Sequence, residues 1–170
     1  HIFASVSGIR KPPDHRVKEL WAVVGRRGGK SKVAAAIAVH TALFQQHRLS
    51  AGEVGYVLTL SQTTSQAKVV FGYCLGFIQQ SPVLRQEIAS TTSSEIRLRN
   101  GIVIATHPNS FRSVRGRTLL ACIFDEPAFW RDESSSLPDV ETYRAVMPGL
   151  MTTRGMLIGI SSPYRKLGLV

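Results

Sequence analysis

Apolar runs alternate with longer segments of helical composition along this chain. The runs that predict strands lie at 20–24, 54–60, 119–124 and 155–160. The segments that predict helices lie at 29–47, at 62–79 with Ser61 as the N-cap, and at 140–151 with an interruption near Pro148-Gly149. The run at 119–124 is apolar throughout, which is typical of a strand buried on both faces of a parallel sheet. The pattern therefore predicts an α/β fold with a mainly parallel sheet.

A hairpin is predicted where Asn100-Gly101 separates two short runs. The Asn-Gly pair favours the tight turn that joins antiparallel strands. Apolar and charged residues alternate along 95–99, so that one side of this strand should face solvent. We therefore expect 95–99 and 102–106 to pair as antiparallel strands.

A glycine-rich loop joins the first predicted strand to the first predicted helix. Its residues are Gly25, Arg26, Arg27, Gly28, Gly29, Lys30 and Ser31. Glycines let the backbone turn sharply and approach an anion, and a helix N-terminus adds unpaired N–H donors. In this context Lys30 can reach the β- and γ-phosphates of a nucleotide, and the Ser31 hydroxyl can ligate Mg²⁺.

The loop departs from the common phosphate-binding pattern G-x-x-x-x-G-K-[ST]. Only three residues separate Gly25 from Gly29, so Val24 stands where the first glycine is expected. The alternative interpretation is a glycine-rich turn before a helix, with an incidental lysine.

Two adjacent acids follow the apolar run at 119–124. Asp125 and Glu126 stand 95 residues after Lys30, at the carboxyl end of a predicted buried strand. Ligands of open α/β sheets bind at that edge. Asp125 is expected to hold Mg²⁺ and Glu126 to polarise an attacking water. Alternatively, the acids begin a loop or cap a helix.

Two further polar segments lie near predicted strand ends. The loop at 109–118 is basic, and an arginine there, Arg112 or Arg115, can reach a γ-phosphate on a neighbouring subunit or a DNA phosphate. Ser161 and Ser162 end the last strand and can sense a γ-phosphate. An exposed basic loop and an ordinary strand-to-turn exit remain open as alternatives.

Composition favours one basic domain. The net charge of +10 and the pI near 10.3 favour a polyanionic partner, nucleic acid first, although a solvated basic surface is the alternative. No apolar run reaches the ~18 residues that predict a membrane span. Cys74 and Cys122 are interpreted as free thiols in a reducing compartment, and His40 and His47 as surface or core residues outside any metal site.

The motifs, in this order, resemble the ATPase domain of tailed-phage terminase large subunits, the DNA-packaging motors. The resemblance covers roughly residues 10–168 and rests on 25–31, 113–116, 123–130 and 161–164. It implies a P-loop NTPase three-layer sandwich of the additional-strand, catalytic-glutamate type. It also implies that Mg²⁺-ATP hydrolysis drives double-stranded DNA into a procapsid. Residues 1–19 are, by their own composition, a proline-broken basic approach segment that can line the nucleotide site or serve as a plain linker.

The resemblance implies roles for individual residues and partners. Arg26 would contact the γ-phosphate, and the family's deviant P-loop would account for the missing first glycine. Arg115 would be the trans-acting arginine, with Arg112 close behind, and Ser161 and Ser162 would couple hydrolysis to DNA movement. The implied partners are a portal protein, a small terminase subunit and further copies in a ring, in the cytoplasm of a bacterial host.

Family members continue into a nuclease domain after the coupling motif, whereas this chain stops at Val170. DNA cleavage is therefore not expected of it. Two other classes stay open: a helicase-like nucleic-acid-dependent ATPase, and a non-hydrolysing DNA-binding or assembly module.

Overall fold

Seven strands of the described chain form a single sheet with helices on both faces. The computed structural model describes residues 2–8, 10–109, 114, 116–131, 138–164 and 169. The strands are β1 Glu19–Val23, β2 Gly55–Ser61, β3 Ile88–Thr91, β4 Glu95–Leu98, β5 Ile102–Pro108, β6 Thr118–Asp125 and β7 Met156–Ser161. The helices are α1 Ile2–Val6, α2 Lys30–Phe44, α3 Thr64–Gln80, α4 Pro82–Arg85 and α5 Pro138–Thr153, with a 3₁₀ turn at Pro127–Phe129. No helix in these ranges is long and apolar enough to cross a membrane.

The strand order is β1-β7-β6-β2-β5-β4-β3. The first five strands in this order run parallel, while β4 pairs antiparallel with both β5 and β3. Because β1, β2, β6 and β7 are parallel, their carboxyl ends meet at one edge of the sheet. One additional strand, β7, separates the strand before the glycine-rich loop from the strand that carries the acids.

Helices α2 and α3 pack on one face of the sheet and α5 packs on the other. Alanines make the contact surface of α2, since Ala34, Ala35, Ala38 and Ala42 are fully buried. Their small side chains let the helix backbone approach the sheet closely, which fixes where the helix begins relative to the strand ends. On the opposite face Phe124 packs against Trp130 with ring centroids 4.9 Å apart.

Both cysteines are buried and free, in agreement with the sequence-based interpretation. Burial raises the pKa of the Cys74 thiol to about 12, and burial also raises the pKa of Cys122. Neither thiol ionises near neutral pH, so both act as small apolar core residues.

The hairpin prediction is confirmed, because Ile96 of β4 pairs antiparallel with Ile104 of β5 across the Asn100-Gly101 turn. The end predicted for the first helix is wrong. Helix α2 stops at Phe44, and Gln45 is already extended. The ring of His47 then turns back, and its Nε2 donates to the Thr41 carbonyl at 2.8 Å, which satisfies an acceptor at the helix end.

Two helix predictions need correction. Helix α5 continues through Pro148, because Val146 and Leu150 on either side are held in the core. Ser61 does not cap the second helix. It is the last residue of β2, and Thr63 caps α3 by accepting from the Gln66 N–H at 3.3 Å. Strand β3 was not predicted.

The close contact between β7 and β1 generates a stability prediction. A Cβ added at Gly159 would overlap the Trp21 ring, which covers this position from the neighbouring strand. We expect Gly159→Ala to lower the free energy of unfolding by about 1–3 kcal/mol in urea titrations, because the ring must move. Gly72→Ala is the matched control, since nothing lies within 4 Å of its added Cβ. It should stabilise α3 slightly. Equal stability of the two variants would contradict this packing.

Candidate functional site

The glycine-rich loop is held at the carboxyl edge of the sheet by β7. The Val24 N–H donates to the Ser161 carbonyl at 2.9 Å. A Cβ added at Gly28 would overlap the Val24 side chain, so a larger residue there would displace Val24. Val24, which stands in the place of the missing first glycine, thus packs over Gly28. The loop then enters α2 through Gly29, whose φ of 82° is left-handed and favours glycine.

The N-terminus of α2 offers donors without acceptors. Gly29 has no side chain to cap the helix. Within the described ranges, the N–H groups of Arg26, Arg27 and Gly29 have no hydrogen-bond acceptor. These donors and the positive end of the helix dipole lie together in an exposed loop. This arrangement can bind an anion such as a phosphate.

The two acids stand where β6 ends and a strained turn begins. Asp125 ends β6, is 6% exposed, and accepts from the Ser61 hydroxyl at 3.3 Å. Glu126 has a left-handed backbone with a φ of 55°, and its N–H donates to the Ile160 carbonyl at 2.8 Å. A left-handed glutamate costs on the order of 1 kcal/mol, and such strain concentrates at functional sites.

The side chain of Glu126 meets Lys30 and Ser162. Lys30 Nζ lies 3.0 Å from Glu126 Oε1 and donates to Ser162 Oγ at 3.1 Å. Ser162 holds both oxygens of the carboxylate, because its N–H donates to Oε2 at 2.6 Å and its hydroxyl donates to Oε1 at 3.1 Å. The Ser161 hydroxyl adds a 3.3 Å contact to Oε2. Residues from α2, the end of β6 and the end of β7 therefore converge.

The two carboxyl groups have pKa values shifted in opposite directions. Burial, with the neighbouring charge of Glu126, raises the pKa of Asp125 to about 6. Burial also raises the pKa of Glu126, but the hydrogen bonds from Ser162 and the Lys30 ammonium outweigh it, and the net pKa is lowered. Near pH 7 the site thus holds two carboxylates against one ammonium.

This charge balance and the donor types fit a magnesium ion. Mg²⁺ prefers hard oxygen ligands such as the Asp125 carboxylate and the Ser31 hydroxyl. Asp125 is buried with one side-chain partner, Ser61, so its charge is poorly compensated in this part of the chain. A divalent cation would supply the missing positive charge.

A clasp fixes the turn that follows Glu126. The Gln62 side-chain NH₂ donates to the Arg131 carbonyl at 3.1 Å, and the Arg131 N–H donates back to the Gln62 amide oxygen at 2.6 Å. Tyr164 lies against Phe129 with ring centroids 4.4 Å apart. The Trp130 indole donates to the Asp125 carbonyl at 3.1 Å. The turn is thus fixed to β2 and to the segment after β7.

The structure brings together Lys30, Asp125, Glu126, Ser161 and Ser162. Arg26 and Arg27 lie exposed in the loop nearby. Arg112 and Arg115, the candidates for a trans-acting arginine, lie outside the described residues.

Sequence reasoning missed the roles of Ser61 and Gln62. The signal was present, because parallel pairing of β2 with β6 places Ser61 opposite Asp125. The sequence alone did not reveal that β2 and β6 are neighbours, so the Ser61 hydroxyl was assigned to a helix cap.

A sequence model of the family described as terminase large subunit, T4likevirus-type, N-terminal, matches residues 22–137. No curated protein matches the chain by sequence. Among solved structures, an arginine-to-alanine mutant of the large terminase ATPase domain from Thermus phage P74-26 matches with a TM-score of 0.68 and 19% identity. The match covers 98% of this chain and 70% of that one.

Two further structures agree. The ATPase domain of the same Thermus phage terminase without that mutation matches with a TM-score of 0.64 and 21% identity, over 96% of this chain and 69% of that one. The large terminase of bacteriophage HK97 matches with a TM-score of 0.63 and 15% identity, over 86% of this chain but only 29% of that one. At these identities the likeness establishes the fold, and the predicted P-loop class with a mainly parallel sheet is confirmed.

The raised pKa of Asp125 predicts a stability that depends on pH. Its folded-state pKa of about 6 lies above the ordinary value of 3.8, so ionisation destabilises the fold as pH rises from about 4 to about 6. We expect Asp125→Asn to raise the free energy of unfolding at pH 7.5 without Mg²⁺, by up to about 3 kcal/mol. The gain should nearly vanish near pH 4.

Urea unfolding at both pH values checks this, with exposed Glu141→Gln as the control. A gain of the same size at both pH values, or destabilisation at pH 7.5, would contradict a buried charged carboxylate.

Proposed function

The chain belongs to the terminase large-subunit family, N-terminal domain, and we propose that it is a Mg²⁺-dependent ATPase that drives double-stranded DNA into a procapsid. The observation that carries the proposal is the meeting of Lys30 with Asp125 and Glu126 beside an uncapped helix N-terminus. A loop of unpaired N–H groups next to a lysine and two acids suits a triphosphate and its cation.

The nucleotide would be bound by the loop from Gly25 to Ser31. Backbone N–H groups of Arg26, Arg27 and Gly29 surround the phosphates in this proposal, and Lys30 binds the β- and γ-phosphates. The exposed Arg26 guanidinium contacts the γ-phosphate and stabilises charge that develops there.

Ser31 and Asp125 would hold Mg²⁺, which neutralises charge on the β- and γ-phosphates when bound. Asp125 is suited to this role because its carboxylate is buried and poorly compensated. Glu126 has a pKa below its usual value, so it is ionised at neutral pH and can accept a proton from an attacking water.

Lys30 and Glu126 must change partners during this cycle. In the structure the ammonium is held by the carboxylate and by Ser162. A triphosphate competes for the ammonium. When the ammonium leaves Glu126, the Oε1 atom can accept a hydrogen bond from water. The ion pair therefore keeps the general base occupied until the nucleotide arrives.

Ser161 and Ser162 are suited to couple this exchange to movement. Ser162 bonds Glu126 through its backbone N–H, and Ser161 accepts from Val24 through its backbone carbonyl. A shift of the carboxylate thus acts on the end of β7 and on the segment after it. In the assembled motor that segment would transmit the change toward DNA.

The complete motor would be a homo-oligomeric ring on a portal protein, with a small terminase subunit, in the cytoplasm of a bacterial host. Arg115 would reach the active site of a neighbouring subunit, with Arg112 as the second choice.

Phosphate release by the purified chain tests the proposal, with Mg²⁺-ATP, with and without DNA. We expect turnover that depends on Mg²⁺ and rises with DNA or on assembly. Binding of DNA without ATP binding would instead assign the chain to a non-hydrolysing module.

Replacement of the proposed base should separate binding from turnover. Glu126→Gln should not weaken ATP binding, because the amide keeps the shape of the side chain and no longer holds the Lys30 ammonium as an ion pair. Phosphate release should fall at least about 100-fold, as expected for loss of a general base. Glu141→Gln is the matched control on the surface. Turnover by Glu126→Gln near the wild-type rate would remove Glu126 from the mechanism.

Removal of the loop lysine should weaken nucleotide binding. We expect Lys30→Ala to raise the ATP dissociation constant by about 10- to 100-fold in calorimetry, since a charge-assisted contact is worth about 1.5–3 kcal/mol. Lys68→Ala, at an exposed position of α3, removes the same charge and should change nothing. An unchanged dissociation constant for Lys30→Ala would contradict the assignment of the loop.

A further inference from the structure

A second basic cleft lies at the amino edge of the sheet, away from the proposed nucleotide site. It has a volume of about 880 Å³. Arg16 from the approach to β1, Arg48 from the segment after α2 and Arg154 from the end of α5 line it, with Leu120 of β6 between them. Helix α2 begins at the nucleotide site and ends beside this cleft. Its 15 residues separate the two by about 22 Å.

The three guanidinium groups are exposed and lack acidic partners. Within the described ranges none of them forms an ion pair or a side-chain hydrogen bond. No carboxylate is among the residues that line the cleft. Three positive charges thus converge on one concave surface without compensation. Arg48 and Arg154 follow the C-termini of α2 and α5, where a cation is favourable. This does not explain why the arginines line the same cleft.

The backbone of Arg154 adopts a conformation that is unfavourable for a residue with a side chain. Its φ of 57° is left-handed, a conformation in which glycine is favoured at the end of a helix. An arginine at a position that favours glycine indicates that its side chain has a role in the cleft that it lines.

We propose that this cleft binds backbone phosphates of double-stranded DNA through Arg16, Arg48 and Arg154. Guanidinium groups bind phosphate oxygens in pairs and stay charged at every physiological pH, which suits them to a phosphodiester backbone. The net charge of +10 would steer DNA toward this surface. The choice of DNA rests on the proposed function, whereas the anion site itself does not.

An acidic polypeptide is the competing occupant. A smaller apolar hollow of about 480 Å³ adjoins the cleft and shares Arg16 and Arg154 with it. A peptide with acidic and apolar residues would fill both spaces. Phosphates account for the three arginines directly, and the DNA assignment is therefore preferred.

The test measures binding of a fluorescent DNA duplex to the full chain by anisotropy, at several salt concentrations. Each lost phosphate contact lowers the slope of log affinity against log salt by about 0.9. The triple variant Arg16→Ala, Arg48→Ala, Arg154→Ala should lose two to three units of slope, on the order of that figure per arginine, and at least about tenfold in affinity. The control replaces Lys68, Arg85 and Arg144 with alanine, three exposed cations elsewhere, and should lose less than about one unit.

A second variant distinguishes a lost phosphate contact from misfolding. Arg154→Gly places the favoured residue at a left-handed position and should fold at least as well as the wild type. It should still lose about one unit of slope. Thermal midpoints and ATP binding of both cleft variants should match the wild type.

The proposal is overturned if the cleft variants keep the wild-type slope, if the control triple loses as much, or if the wild-type chain does not bind DNA. Poly-glutamate that binds as tightly as DNA through the same arginines would replace DNA with a protein partner. Inorganic phosphate that binds more tightly than DNA would assign the cleft to a free anion. None of these outcomes touches the nucleotide site, which is tested separately by ATP binding to Lys30→Ala.

Discussion

The ion pair between Lys30 and Glu126 is the interaction around which the candidate site is built. It joins the first residue of α2 to the turn after β6, and Ser162 completes it from the end of β7. Both charged side chains are largely shielded, with exposed fractions of 8% for Lys30 and 23% for Glu126. A pair in such a place contributes less to stability than its geometry suggests, because each charge loses water. Its value is positional, because the same two groups are those that a triphosphate and an attacking water require.

The surrounding structure leaves these groups little freedom. Parallel pairing of β2, β6 and β7 sets Ser61, Asp125 and Ile160 side by side in register. The left-handed turn at Glu126 directs the carboxylate toward Ser162, and the clasp between Gln62 and Arg131 holds that turn from the other side. The strain at Glu126 and the buried charge of Asp125 both reduce stability. Proteins commonly accept this at sites that must bind a charged ligand.

Much of this could be predicted from the sequence because the signals were local. The apolar run that ends in Asp125-Glu126 and the glycines before Lys30 indicate strand ends and a helix start, and the parallel sheet brings such ends to one edge. What could not be predicted depends on the order of strands in the sheet. Ser61 faces Asp125 only because β2 lies next to β6. A single sequence does not show which strands are neighbours in the sheet. The continuity of α5 through Pro148 was also hidden, since core contacts at Val146 and Leu150 override the local tendency of proline to break a helix.

In the proposed mechanism, the Lys30 ammonium leaves the Glu126 carboxylate and binds phosphate when the nucleotide enters the site. A crystal structure of the chain with Mg²⁺ and a non-hydrolysable ATP analogue measures this directly through the distance from Lys30 Nζ to Glu126 Oε1, now 3.0 Å. We expect this distance to open beyond hydrogen-bond range, with Nζ on the β- and γ-phosphate oxygens. An analogue bound elsewhere, or bound in the loop with the ion pair intact, would contradict it.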